Sequence, residues 1–297
     1  GDIAGNTATT YITIGNALPT VSKVAISPTS PVAGDDLTCS YDFADADGDT
    51  DASTFAWTIN GALDSTTSAV YTGALVNNDV VICEVTPNDG SDSGTPDNTT
   101  VTLGNTAPSI TAVDITPSSP TVADMLTCTP SGFSDPDGDS DQSSYAWTIN
   151  GTANATTGNI LSSGYAKDDV VNCTVTPSDG SSDGSPLTAS TTITNAAPTI
   201  TSVGLGLISH TVEDPISCNY NGYDDLDGDS DATFYQWFIN GVDVTFDPFI
   251  GLLSSGYVKG DTVMCKVTPS DGTDDGTPET AETIIDNAIP TVSNVNI

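Results

Sequence analysis

Positive charge is nearly missing from this chain. It has no arginine, only Lys23, Lys167, Lys259 and Lys266, and a single histidine, His210, in 297 residues. Phosphate backbones and anionic lipid surfaces are held by clustered Lys and Arg, so nucleic acid and charged membrane surfaces are excluded as partners. One histidine and no Cys-x-x-Cys spacing rule out an ordinary zinc site. Without a second histidine or a nucleophile elbow, no hydrolase triad can be assembled. No stretch has sustained helical periodicity, and no apolar run is long enough to span a bilayer, so direct membrane insertion is not expected. Glutamate is scarce as well: of the 40 acidic residues only Glu84, Glu213, Glu279 and Glu282 are not aspartate. A surface adapted to solubility or salt would use both acids, whereas turns and metal-ligating loops favour Asp.

What is present repeats. Cys, Asp-x-Asp-Gly-Asp-x-Asp, Trp, Asn-Gly and Cys follow one another three times. The cysteines are Cys39 and Cys83, Cys128 and Cys173, Cys218 and Cys265; the tryptophans are Trp57, Trp147 and Trp237. A fixed period means a tandem array. The joints read Asn-x-x-Pro at 16–19, 105–108, 195–198 and 287–290, and their asparagines recur after 89, 90 and 92 residues, a size suited to one domain each. Proline removes a backbone donor and pushes its predecessor to extended geometry, so each joint is expected to be short and stiff. Disorder, the ordinary reading of an acidic Gly- and Ser-rich chain, fails because apolar alternation and hairpin signals recur in every unit.

The expected divisions are repeats at 16–104, 105–194 and 195–286. Residues 1–15 align with the last strand of a preceding repeat and 287–297 with the first strand of a following one. The chain is therefore read as a window from a longer array. The rival reading is a complete subunit whose orphan strands add to neighbouring subunits.

Short alternating runs bounded by turn residues predict an all-β sandwich in each repeat. In the second repeat strands are expected at 110–115, 126–129, 145–150, 160–163, 170–176 and 188–194. Asn-Gly after each tryptophan strand predicts a tight primed hairpin, which needs positive φ at both positions.

Between the first Cys and the Trp, each repeat places carboxylates at i, i+2, i+4 and i+6: Asp45, Asp47, Asp49 and Asp51; Asp135, Asp137, Asp139 and Asp141; Asp225, Asp227, Asp229 and Asp231. That spacing points them to one side of an extended loop, and the central Gly48, Gly138 or Gly228 permits a sharp wrap. Calcium takes about 6–8 oxygen ligands from such loops, though this is no EF-hand, because the glycine falls at the fourth position and no twelfth-position Glu follows. Four carboxylates about 6 Å apart repel by about 4 kcal/mol in total even at water's dielectric. The bland alternative is that Asp and Gly simply form turns with solvated charges. Calcium is the expected cofactor, with magnesium as the other hard-cation candidate.

The Trp falls 18 or 19 residues after the first Cys, an arrangement that resembles the immunoglobulin sandwich. The Tyr two residues before its second Cys is replaced by Val81, Val171 and Val263, so the likeness is to the architecture and not to antibody domains. Asn-x-x-Pro, Leu-Thr-Cys, Asp-x-Asp-Gly-Asp, Trp-x-Ile-Asn-Gly, Leu-Ser-Ser-Gly-Tyr and Thr-Pro-Ser-Asp-Gly together resemble the tandem immunoglobulin-like repeats of bacterial and archaeal surface proteins, grouped with polycystic-kidney-disease-type and cadherin-like repeats. The Trp-Asp-Phe-Gly-Asp-Gly run of the first group and the Asp-Arg-Glu of true cadherins are missing. The resemblance implies tandem sandwiches in an extended rod, one disulfide per repeat joining the two sheets, and an extracellular, calcium-dependent structural or adhesive role. Pairing between repeats and free thiols remain the alternatives.

In such a sandwich the loop after the second Cys shares a pole with the first acidic loop. Asp89, Asp179 and Asp271 are thus expected to complete the cation sites, with Asn16, Asn105 and Asn195 of the joints nearby. Asn98, Asn150 and Asn154 head possible glycosylation sequons, and Asn172 heads a less favoured one on a strand. Phe246, Pro248 and Phe249 are the one aromatic cluster confined to a single repeat.

The reading that follows is a non-enzymatic, cell-surface filament or stalk, stiffened by calcium and partnered by copies of itself or by neighbouring repeats. An adhesin, or a spacer carrying an adhesive or catalytic tip, is the alternative.

Overall fold

The computed structural model describes residues 9–206, 212 and 215–287, and all described regular structure is β-strand. Strands of the first repeat are β1 (Thr20–Ser27), β2 (Leu37–Ala44), β3 (Thr54–Ile59), β4 (Ala62–Leu63), β5 (Val70–Tyr71), β6 (Val80–Thr86) and β7 (Asp97–Thr102). The second repeat supplies β8 (Ala112–Thr116), β9 (Leu126–Ser131), β10 (Ser144–Ile149), β11 (Thr152–Ala153), β12 (Ile160–Leu161), β13 (Val170–Thr176) and β14 (Leu187–Thr192). The third supplies β15 (Ser202–Leu205), β16 (Ile216–Asn221), β17 (Phe234–Ile239), β18 (Val242–Asp243), β19 (Leu252–Leu253), β20 (Thr262–Thr268) and β21 (Glu279–Ile284).

Contacts divide the chain into two compact units. One comprises Gly1–Ala112, Pro130–Ser144 and Thr176–Leu187; it holds the first repeat and the two acidic loops of the second. The other comprises Val113–Thr129, Tyr145–Val175 and Thr188–Ile297.

In the first unit, β1-β2-β5 form one sheet and β4-β3-β6-β7 the other, the A-B-E and C′-C-F-G layout of an immunoglobulin-like sandwich. Period-2 alternation shows why: β6 reads exposed Val80, buried Val81, half-buried Ile82, buried Cys83, exposed Glu84, buried Val85. Trp57 stands directly opposite Cys83 in the β3–β6 ladder and is fully buried. Cys39 of β2 bonds Cys83 across the two sheets. Ile26, Leu37, Tyr71, Leu75 and Leu103 complete this core.

The second unit repeats the plan. The sheets β12-β9-β8 and β15-β16-β19 face β11-β10-β13-β14 and β18-β17-β20-β21 in their respective repeats. Cys128–Cys173 and Cys218–Cys265 cross them, at sequence separations of 45 and 47. No cysteine is free, so pairing between repeats and thiol metal ligands are both set aside.

All three Asn-Gly hairpins have positive φ at both positions, Asn60 at 49° and Gly61 at 83° being representative. Sequence patterning misses β11, whose two residues carry no alternation to read. At the ends, 288–297 lie outside the described residues, as do 1–8 and His210; residues 9–15 form no ladder.

Candidate metal centres

Each acidic loop is built around its first aspartate. Oδ1 of Asp45 accepts the backbone amides of Asp47 and Asp49 at 2.9 and 3.0 Å. Asp135 does the same for Asp137 and Asp139, and Asp225 for Asp227 and Asp229. This wrap requires the left-handed backbone of Gly48, Gly138 and Gly228, with φ near 80° in each. The loop therefore closes on one carboxylate oxygen and leaves the other over.

That other oxygen is the informative atom. Oδ2 of Asp45, Asp135 and Asp225 is buried and has no hydrogen-bond partner, and Oδ1 of Asp227 shares that condition. An anionic oxygen removed from water without a donor is costly, and the same atom is left so in three repeats. Carboxylate oxygens of Asp45, Asp47 and Asp49 lie within 4.8 Å of one another, as do those of Asp225, Asp227 and Asp229. Asp135, Asp137 and Asp139 are not gathered to that distance. This donor set, hard anionic oxygens with a buried unsatisfied member, fits a hard divalent cation.

The fourth aspartate departs from the expected one-sided array. Oδ1 of Asp51 caps the amide of Ser53, and its Oδ2 accepts the hydroxyl of Tyr41 at 2.9 Å. Asp231 caps Thr233 and accepts Tyr220 at 2.6 Å. Burial, with Asp231 beside it, pushes the Tyr220 phenol up to about 12. In the second repeat Pro130 stands in place of this tyrosine, and Asp141 instead accepts both the amide and the hydroxyl of Ser143. Capping the next strand engages Oδ1 of each of these carboxylates within its own loop, and Oδ2 as well in Asp51 and Asp231.

The second acidic loop lies at the same pole, joined to the first by Ala52 N–H to Asn88 O, Gln142 N–H to Ser178 O and Ala232 N–H to Ser270 O, each 2.8 Å. Its aspartates grip the joint. Asp89 accepts the amides of Ser91 and Asp92 on Oδ1 and the side-chain amide of Asn16 on Oδ2. Asn105 donates to Asp179 at 2.7 Å and to Ser182 at 3.0 Å. Asn195 donates to Asp271 at 2.7 Å and to Asp274 at 2.9 Å. One residue on, the amides of Ala17, Thr106 and Ala196 donate to Asp47, Asp137 and Asp227. The three joints at 16–19, 105–108 and 195–198 are thus each clamped by both loops of the repeat they enter.

The clamps draw the Asp89 and Asp179 carboxyls below the ordinary range, through the Asp92 amide first for Asp89 and the Asn105 side chain first for Asp179. Burial pulls Asp271 upward, but donors from Asn195, Asp274 and Thr273 outweigh it and leave that group lowered too. With both oxygens engaged, Asp89, Asp179 and Asp271 position the joint and stand beside the cluster.

Sequence reasoning missed a glycine that makes the clamp possible. A Cβ on Gly94, Gly184 or Gly276 would fall 1.9, 1.9 or 1.8 Å from the carbonyl oxygen of Pro19, Pro108 or Pro198. The signal was available as a second Gly four residues after each Asp-Gly. A second missed device ties the hairpin to the corner before the F strand: Asn60 donates to Asp79 at 2.7 Å and accepts the Val80 amide at 2.9 Å. Asn150 holds Asp169 and Val170 in the same way, and Asn240 holds Asp261 and Thr262. The possible sequon at Asn150 therefore sits on an amide that is already engaged. Asn154 caps the Thr156 amide, whereas Asn98 lies exposed on β7.

Of the third repeat's aromatic cluster, Phe246 lines a cavity of about 450 Å³ with Trp237, Val244, Ile250 and Leu252. Phe246 is fully exposed and Phe249 is 71% exposed. Indole N–H groups of Trp57 and Trp147 donate to Ser68 O and Gly158 O, each at 2.9 Å, but that of Trp237 is buried without a partner. The segment between Trp237 and β19 is two residues longer than its counterparts, which carries the acceptor carbonyl away.

No protein-family model and no curated protein matches the chain. Solved structures that it resembles are tandem-domain proteins. The FN1–FN3 domains of chicken CNTN1 align at 14% identity and TM-score 0.32, over 92% of this chain and all of that one. The three N-terminal domains of the bacteriophage RB49 outer capsid protein Hoc align at 19% and 0.35, over 91% of this chain and all of that one. A Ca2+-stabilized adhesin with which an Antarctic bacterium binds ice aligns at 19% and 0.32, over 92% of this chain and 74% of that one. At such TM-scores the likenesses carry no argument; the immunoglobulin-like fold rests on strand order, cross-sheet disulfides and buried tryptophans.

Proposed function

We propose that this chain is a segment of an extracellular structural array, a filament or stalk, whose joints are fixed by bound calcium. Its repeats at 16–104, 105–194 and 195–286 then resemble polycystic-kidney-disease-type and cadherin-like modules in role. The observation that carries the reading is the buried, donorless Oδ2 of Asp45, Asp135 and Asp225. Asp47 and Asp49, Asp137 and Asp139, Asp227 and Asp229 would share the ion with them. A divalent cation supplies the charge that three adjacent carboxylates lack and satisfies the leftover oxygen. Three disulfides support an oxidising, extracellular setting. No helix among the described residues is long and apolar enough to cross a membrane.

The test is calorimetric melting of the chain in a chelator and in calcium chloride. A ligand at a hundredfold excess over its Kd stabilises by about 2.7 kcal/mol per site, so melting should rise by several degrees. The Asp45→Asn, Asp135→Asn, Asp225→Asn triple variant should lose that rise. Identical melting in chelator and calcium would discard the calcium reading.

A second reading, an adhesive surface on the third repeat, is favoured by the cavity under Phe246 with its unpaired Trp237 N–H. Phe246→Ala and Phe249→Ala should abolish cell or glycan adhesion on that reading and leave the array's melting unchanged.

A further inference from the structure

The two joints between complete repeats are chemically unequal. Both receive a residue from the corner before the F strand of the preceding repeat, Asn77 at the first and Lys167 at the second. At the first joint the Asn77 backbone amide donates to Asp137 at 2.7 Å, and its side chain reaches Asn105 Oδ1 at only 3.3 Å. At the second joint the Lys167 ammonium lies 2.6 Å from Asp229 Oδ2 and 2.9 Å from Asn195 Oδ1. Asp229 and Lys167 are both half-buried there, with side chains 34% and 26% exposed. The corresponding Asp139 is exposed and accepts no hydrogen bond from the described residues.

The ammonium therefore touches two oxygens of the kind a cation would use, one from the acidic loop and one from the linker asparagine. Asp168 and Asp227 also face it and, with Asp229, favour its charged form. Through Asn195 the contact continues to Asp271, so the positive charge feeds the clamp described above.

We propose that Lys167 is a resident cation of the second joint. It holds that joint without dissolved metal and competes with a divalent ion for Asp229, whereas the first joint depends on the ion. This inference rests on the calcium reading, and it divides the joints into one that responds to calcium concentration and one that is locked constitutively. A unit positive charge a few ångströms away, at the effective dielectric of a protein surface, is enough for about a tenfold or larger loss of divalent affinity.

Amide hydrogen exchange reads each joint separately through the Thr106 and Ala196 N–H groups, with calcium chloride as the probe. In chelator, Ala196 should be the better protected; calcium should raise Thr106 protection about tenfold or more and Ala196 protection little. Lys167→Asn, which copies the first joint, should make Ala196 exchange fast in chelator and calcium-sensitive. Asn77→Lys should make Thr106 calcium-insensitive. In calorimetric titration, Lys167→Asn should tighten the weakest calcium site about tenfold. If calcium protects both amides equally and neither variant changes this, the inference falls while the calcium reading stands. If calcium binds nowhere in the wild-type chain, the calcium reading fails and the division of the joints fails with it.

Discussion

At the residue scale, the chain depends on a few positions where a side chain is either indispensable or forbidden. Gly184 belongs to the second kind. Its missing Cβ leaves room for the Pro108 carbonyl, so Gly184→Ala must displace the linker from the loop beneath it. The expected cost is about 1–3 kcal/mol, the range for forcing atoms into a packed site. Calorimetry should show it as a lowered melting temperature, together with faster exchange of the Thr106 amide that Asp137 accepts. An unchanged Thr106 amide would mean that the linker is not held there. Asp45, Asp135 and Asp225 belong to the first kind, because one oxygen of each organises the loop while the other is buried without a hydrogen-bond partner.

At the element scale, the acidic loops behave as clamps whose strength depends on protonation. The Asp89, Asp179 and Asp271 carboxyls are lowered from the ordinary 3.8 in the folded chain. A carboxyl with a depressed folded value stabilises fully above its unfolded value and loses that contribution as pH falls through the folded one. In chelator, melting should therefore be nearly level from neutrality to about pH 4 and fall below it. Asn105→Ala removes the foremost of the donors that lower Asp179, beside the Ser182 and Ser181 amides, and should flatten the acid limb for that joint. An acid limb unchanged by Asn105→Ala would assign the pH dependence to other carboxylates.

Element identity was largely legible. The second-repeat strands expected at 126–129, 145–150 and 170–176 match β9, β10 and β13 within about two residues. Alternation about a Cys or Trp is a strong signal because burial of one face enforces it. The two-residue β11, paired with β10 across the hairpin, is too short to show alternation, and the Asn60–Asp79 tie rests on a contact between segments 19 residues apart.

At the scale of the whole molecule, small cores are held by covalent staples. Each disulfide closes a loop of about 45 residues, worth about 4 kcal/mol in the chain-entropy account. Against a typical domain stability of about 5–15 kcal/mol, that is a large share. Reduction under native conditions should drop the melting temperature of all three repeats by tens of degrees or unfold them. Melting that is indifferent to reductant would show that Trp57, Trp147, Trp237 and their neighbours suffice alone.

The amino-acid sequence alone determined the threefold repetition, the all-β character, the hairpins and the Asp-rich loops, because each is written in short-range spacing. Only tertiary structure decided which aspartates converge. Asp51, Asp141 and Asp231 share the motif but cap their own strands, and Asp89, Asp179 and Asp271 grip the joints. It also brought Lys167 to Asp229 across 62 positions, a meeting no local pattern encodes. Hydrogen-bond partners and cation competitors are chosen by distance in space, and chain spacing reports that distance only within a single loop or strand.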